Sequence, residues 1–420
     1  MPRPTVLPQP LLQFDDQVAL LEGTADEAIS AMPKIEAQAS TEKGFTDALA
    51  SGDDLSAQRW GLIVPMGPLG DRLLDCLAPL IEQRARQQDI PKEQIIVLRV
   101  PSGSDLSSEA ARAWRDECYE AIADWDRPTY LLILGDLHEV PESIHRIFID
   151  RLVGRLAFSL PGGEPDFAAY RKYAEKVLRW ESTPSPHKKA RARLLVVNDG
   201  TAATNTAMDV LVNPLFALAA RAGQRFPLSD INPTDAAWLT ERQQLLAEVT
   251  TGVPTVLFSV SHGYGGPRRG WPRENSDQQR AEQGALCFAA SKDRLYGRDL
   301  SAMPSFLPGG VWVLLACHGA GTPRVSHYRH WLERLAACGE FAGSAESVLR
   351  ALPTDRERPF IAALPQAALA HPEGPLACIG HLDLAWTYSF QDLDTGQERS
   401  RPDARSEERR VGKECLRLCR

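Results

Sequence analysis

Two apolar runs in this chain end on residues that can do covalent chemistry. PTVLFSVSH delivers His262 and continues GYGG, and VWVLLAC delivers Cys317 with His318 and Gly319 behind it. The thiolate is the reactive form of cysteine, and a neighbouring imidazole either takes its proton or, once charged, lowers its pKa; the same imidazole then protonates the leaving group. Glycine matters here because a backbone without Cβ lets a carbonyl approach closely. The main-chain N–H groups of Gly263 and Cys317 are then the expected donors to a developing oxyanion. Taken singly, each residue has a plainer explanation: a buried Cys is usually a small core residue, and a strand-end His is usually held by structural hydrogen bonds. Both residues at the same kind of position, with glycine close behind, carry the expectation that Cys317 is a nucleophile and His262 its acid–base. His318 competes for the second role, although adjacent residues at a strand end point apart.

Positioning such a pair takes parallel strands that end side by side. From Trp60 the chain offers RWGLIVPM, EQIIVLRV and YLLILGD, with stretches of helical apolar spacing such as DRLLDCLAPLIEQRARQQ between them. A second series follows the polar linker ESTPSPHKKARA: RLLVVND, PTVLFSVSH, GALCFAA, VWVLLACH and PFIAALP, with MDVLVNPLFALAARAG and AAWLTERQQLLAEVTT read as helical. Alternating strand and helix predicts an α/β fold, mostly parallel sheets covered on both faces. Two α/β units are expected, over residues 59–190 and 191–404, behind a proline-rich leader or cap at 1–58. In open sheets of this kind chemistry gathers beyond the carboxyl ends of the strands, which is where His262 and Cys317 fall.

At 420 residues, 43% hydrophobic and 24% charged, the composition is globular. A net charge of −8 lacks the footprint of a nucleic-acid binder, and no apolar stretch approaches a membrane span, so neither partner is expected. Eight cysteines without a CxxC pair argue against a zinc ribbon or disulfide framework, and with no secretion signal in MPRPTVLPQPLLQF the expectation is cytoplasmic. RSEERRVGKEC, opening residues 405–420, reads as the translation of a short-read sequencing adapter. The native chain is therefore expected to depart near Ala404.

SVSHGYGG and LLACHGAG resemble the His-Gly and Ala-Cys-x-Gly signatures of the caspase-like cysteine peptidases, which include caspases, gingipains and the bacterial CHAT proteins. Fifty-five positions separate His262 from Cys317, near the ~50 seen in caspases. YLLILGDLHEVP, VGRLAF and FAAYRKYAEKVLRWE resemble the inert first subdomain of gingipain-type enzymes. The resemblance implies a caspase-like three-layer αβα fold in two stacked subdomains, a Cys-His dyad, cleavage of a protein or peptide substrate, and no cofactor. It also implies that Asp199, ending RLLVVND, floors a specificity pocket for Arg or Lys, unless it only caps the next helix or makes an Asx turn. Leu315 stands where caspases have glutamine. Tyr264 and Trp271 are the expected groove residues, or simple packing.

The remaining motifs promise less. GDLHE and GHLDLAW contain His and carboxylate without the spacing of a metal site, and GPLG lacks a phosphate-loop pattern. Arg294 and Arg298, in SKDRLYGRDLSAMPS, would suit self-processing of a latent enzyme. A catalytically silent scaffold in a larger assembly is the rival from a different class, and a protease awaiting an activating partner is the third reading.

Overall fold

The computed structural model describes residues 10–387 apart from 16, 20, 23–44, 102–105, 184–188, 223–227, 273–275, 291, 338–341, 344 and 355–357. The adapter-like tail lies outside the described residues. The chain divides into two units, Glu36–Thr183 with Ala404–Arg420, and Met1–Ile35 with Pro184–Asp403.

The first unit is built on Trp60–Pro65, a strand buried at every position, as a central strand covered on both faces must be. It lies between Ile96–Val100 and Tyr130–Leu134, and Leu152–Leu156 pairs with the far side of Tyr130–Leu134 to complete a four-stranded sheet, parallel at every pairing. Helices Pro68–Cys76, Ser108–Cys118 and Phe167–Ser182 connect or follow these strands. Their starts are chemical: the side chain of Ser107 accepts from the Ala110 amide, and that of Asp166 from Ala168 and Ala169. The GPLG stretch is packing. A Cβ on Gly70 would stand 1.9 Å from the Pro65 carbonyl oxygen, so glycine lets this helix close onto the strand it follows.

The second unit holds a six-stranded sheet. Ala377–Ile379, Val311–Leu315, Thr255–Val260, Ala190–Val197 and Leu228–Ile231 run in that order, with Trp238–Leu239 also on Ala190–Val197, all parallel. Side chains alternate between two cores. Leu194, Val196, Val260 and Leu315 pack on one face with Met208, Leu211 and Trp331; Leu195, Val197, Leu257 and Trp312 pack on the other with Leu245, Phe306 and Leu364. The protein is thus mixed α/β with mostly parallel sheets. Among the described residues no helix is long and apolar enough to cross a membrane.

Local readings differ in three places. PFIAALP is a two-residue strand, Phe360–Ile361, running into helix Ala363–Ala370, because an apolar run has no period of its own to distinguish the two. AAWLTERQQLLAEV divides into strand Trp238–Leu239 and helix Arg242–Val249, the helix opened by a reciprocal cap between Glu241 and Gln244. Residues 10–22, expected in a leader, contribute strand Leu12–Phe14, which pairs parallel with Gly263–Gly266.

Candidate active site

The parallel ladders fix where the candidate residues fall. Val260 is registered with Leu315 on one side and Val196 on the other, so His262 and Cys317 each lie two residues beyond a shared level, and Asp199 three. Ser261 still donates to the Leu315 carbonyl at 3.2 Å. Beyond it the two backbones close up: a Cβ on Gly263 would stand 1.9 Å from the Cys317 carbonyl oxygen and 3.0 Å from its nitrogen. Glycine after the histidine is therefore a packing requirement, and it places the Gly263 and Cys317 amides side by side. On the other side the Cys287 amide donates to the His262 carbonyl at 2.9 Å, fixing the histidine backbone from a second strand.

The His262 ring is buried, 1% exposed, and clamped on one edge. Its Nε2 lies 3.2 Å from Asp199 Oδ2 and 3.0 Å from Thr201 Oγ1. Asp199 is itself held at the other carboxylate oxygen: Thr201 donates from its amide at 3.1 Å and its hydroxyl at 2.8 Å, and the Thr204 hydroxyl donates at 2.7 Å. The NDGT turn makes this possible. Gly200 takes a positive φ of 76°, and Thr201 caps the helix Ala202–Ala207 that brings Thr204 round. Burial pushes the Asp199 carboxyl up, but the hydrogen bond and charge of His262 and the two threonine hydroxyls outweigh it and hold the group well below the usual carboxylate range. An ionised Asp199 holds a proton on Nε2 and leaves Nδ1 as the ring nitrogen turned away from it. That nitrogen is buried and has no hydrogen-bond partner.

Cys317 is fully buried. Its Sγ accepts from the Ala385 amide at 3.2 Å and lies 3.5 Å from the Ala385 carbonyl, and no hydrogen bond joins it to His262. Burial pushes the thiol well above its ordinary pKa; the Ala385 N–H opposes this and the charge of Asp383 adds to it. The loop carrying Ala385 is pinned by Asp383, which accepts from the Ser326 hydroxyl at 2.8 Å and the amides of His327 and Leu384 at 2.9 and 2.8 Å. GHLDLAW thus serves structure beside the cysteine.

The two amides share one acceptor. Gly263 N–H donates to the Leu11 carbonyl oxygen at 2.8 Å, and Cys317 N–H donates to the same oxygen at 3.1 Å. One peptide carbonyl thus receives both of the amides that were expected to serve as oxyanion donors.

Two solved structures are similar to this chain. One is described as a protease, with TM-score 0.43 and 11% identity, covering 79% of this chain and 60% of the other. The second is the Arg-specific cysteine proteinase gingipain R (RGPB), with TM-score 0.43 and 10% identity, covering 78% of this chain and 63% of the other. The chain spans less than two thirds of the length of either structure. No family model and no curated protein matches the sequence.

The other expected residues fall into distinct places. The Asp199 carboxylate, expected to face a substrate guanidinium, is directed at His262 and the two threonines. Tyr264 is buried against Trp271, edge to face at 5.8 Å between ring centroids, under the guanidinium of Arg294 at 3.9 Å; its hydroxyl donates to Asp15. Trp271 donates from its indole to the Gly265 carbonyl at 3.0 Å. His318 is buried in a left-handed conformation, φ 56°, with its amide on the Asp383 carbonyl; burial pushes its pKa down, against the Asp383 charge. Arg294 is 6% exposed in strand Arg294–Leu295, which removes it from any exposed processing loop, whereas Arg298 is exposed and 3.3 Å from Glu282. Asp136 and Glu139 of GDLHE bind main-chain amides, and among the described residues no group of three His, Cys, Asp or Glu is placed to hold a metal. Sequence reasoning missed Thr201, Thr204, Ala385 and above all Leu11. For Leu11 the one available signal was an apolar LLQF breaking the polar and proline-rich leader.

Proposed function

We propose that the protein is a cysteine endopeptidase with Cys317 as nucleophile and His262 as acid–base. The observation that carries this reading is the convergence of the Gly263 and Cys317 amides on one peptide carbonyl oxygen, beside a thiol and a histidine whose far edge is fixed by a carboxylate.

The chemistry follows from those positions. The Cys317 thiol leaves Ala385 and gives its proton to His262 Nδ1; the sulfur attacks the peptide carbonyl carbon, and the oxyanion takes the two amide hydrogen bonds. Collapse breaks the C–N bond as the imidazolium protonates the departing amine. Water, deprotonated by His262, then cleaves the thioester, and the imidazolium returns the proton to the departing sulfur. Asp199 keeps the proton on Nε2 and faces the imidazolium as it forms. It is a positioning residue in this reading, and its engagement with His262 removes the basis for a pocket selecting Arg or Lys.

One observation favours a second reading, a silent scaffold: the resting thiol is buried, bound to Ala385 and not to His262. The two separate in a digest of a concentrated peptide library, with new termini identified by mass spectrometry for the native chain and the Cys317→Ala chain. New termini that vanish with Cys317→Ala are expected. Identical profiles would leave the resting chain inactive, as a scaffold or as a protease still to be opened.

A further inference from the structure

We infer that strand Leu12–Phe14, with Pro10 and Leu11 before it and Asp15 after it, is seated in the peptide-binding groove of the site in the manner of a substrate, so that the resting chain is blocked by its own segment and the groove selects an aliphatic residue on the acyl side of the cleaved bond. This rests on the function proposed above and adds a substrate class and a resting state to it.

The seat is specified at every residue. Pro10 forms an antiparallel bridge with Trp386, and the Leu11 amide donates to the Ala385 carbonyl at 2.8 Å. The Leu11 carbonyl lies between the two oxyanion donors, as described. Past that carbonyl the chain changes partners, and Leu12, Gln13 and Phe14 pair parallel with Gly263, Tyr264 and Gly266. The segment therefore adds a strand to one loop before the carbonyl and to another strand after it, which is how an extended peptide is gripped by main-chain hydrogen bonds on both sides of a reacting bond. In this register the bond presented to Cys317 is Leu11–Leu12.

Side chains read the same peptide. Leu11 is fully buried in the apolar cluster that contains Cys317, Leu315, Leu384 and Trp386. A guanidinium or carboxylate placed there would be desolvated without a partner. Leu12 lies over Gly265, where a Cβ would come within 2.7 Å of its Cδ1, so the groove is open at that point because Gly265 has no side chain. Farther on, Arg294 donates to the Phe14 and Asp15 carbonyls at 3.2 and 3.4 Å, and Tyr264 donates to the Asp15 carboxylate. The groove thus fits an extended peptide with leucine-like residues on both sides of the bond and an acidic residue three positions beyond the second.

The test uses the full chain and Leu12→Asp, which places a charge in the tight space over Gly265. Peptidyl acyloxymethyl ketones ending in Leu, Arg or Asp are applied to each, and modification of Cys317 is followed by peptide-mapped mass spectrometry. Hydrogen exchange at the Gly263 and Cys317 amides is measured in parallel, and thermal unfolding establishes that the variant is folded. A synthetic peptide of residues 8–16 is then added back to the variant. The expected result is labelling at least ~10-fold faster in Leu12→Asp, from a larger open fraction, fastest with the Leu probe and suppressed by the peptide. The two amides should be protected in the full chain, exposed in the variant and protected again by the peptide. Equal labelling rates in the two folded chains, or a preference for the Arg or Asp probe, would overturn the inference while leaving Cys317 a nucleophile. If no probe labels either chain, the proposed function fails and exchange decides the seat: protection that follows the segment supports it, and amides indifferent to Leu12→Asp and to the peptide overturn it. Should Leu12→Asp not fold, Leu12→Ala, which only trims the contact over Gly265, is read by the same measurements.

Discussion

Asp199 holds the Nε2 edge of His262 at 3.2 Å, and with that edge taken the imidazole has only Nδ1 to offer to chemistry. A carboxylate at the end of one strand thereby decides which nitrogen of a histidine at the end of the next is free. Replacing Asp199 by Asn removes the charge opposite the imidazolium and lets the amide select the other tautomer. Labelling of Cys317 by a peptidyl probe should slow by roughly 100- to 1,000-fold, within the range expected of acid–base catalysis, with the fold retained by circular dichroism.

The same pair sets a pH dependence of stability. The Asp199 carboxyl is held lower in the folded chain than in the unfolded one, so its contribution is fully present above the unfolded value of about 3.9 and is lost as pH falls toward the folded value. The stability difference between the native chain and Asp199→Asn, measured by urea unfolding, should be constant at neutral pH and shrink below about pH 4. A difference that grew with acidification would contradict the ionised carboxylate.

Gly263→Ala probes the close approach of the two backbones. With a Cβ 1.9 Å from the Cys317 carbonyl oxygen, those segments must separate. The cost should reach about 1–3 kcal/mol, the range of overpacked interiors, and the paired amides should lose their alignment. A melting curve and a labelling rate on the same sample test both, and the rate should fall further than stability alone accounts for.

Asp383 positions the Ala385 loop through three hydrogen bonds without touching the cysteine side chain. Asp383→Ala should cost about 1–3 kcal/mol, as expected for bonds to a charged acceptor. In the proposed reaction it should raise KM for peptides more than it lowers kcat, because the Ala385 carbonyl, which receives the Leu11 amide, would receive a substrate amide in the same way.

Buried thiols react late. Cys118 and Cys378 are partly exposed, whereas Cys287 and Cys317 are buried, with burial pushing Cys287 up to about 12. In an iodoacetamide time course at pH 7, peptide mapping should find, among the cysteines of the described residues, Cys118 and Cys378 modified first and Cys317 among the last. Rapid alkylation of Cys317 in the native chain would show a site already open.

What the sequence made legible is what local chemistry determines. Central parallel strands are apolar on both faces, so LIVPM, LLILGD, VLFSV and VWVLL announce themselves, and with them the strand ends that carry His262 and Cys317. The destination of Asp199 was not legible, because a strand-end carboxylate can face a pocket, cap a helix or hold a histidine, and only the register of neighbouring strands decides. Leu11 was hidden for a deeper reason. Its partners, Gly263, Cys317 and Ala385, lie some 250 to 370 positions away, and a three-residue strand has too few positions to show a period. The apolar LLQF marks the segment as one to be buried, but nothing in it names the distant residues it pairs with.

If Cys317 and His262 act together on a peptide carbonyl, removing the histidine from a chain whose groove is open must silence the cysteine. Leu12→Asp and Leu12→Asp/His262→Ala are treated with the leucyl acyloxymethyl ketone, and adduct at Cys317 is quantified by peptide-mapped mass spectrometry. Selective modification of Cys317 is expected in the first chain and a fall of at least ~100-fold in the second. Equal modification in both, or adduct spread over the other cysteines, would contradict it.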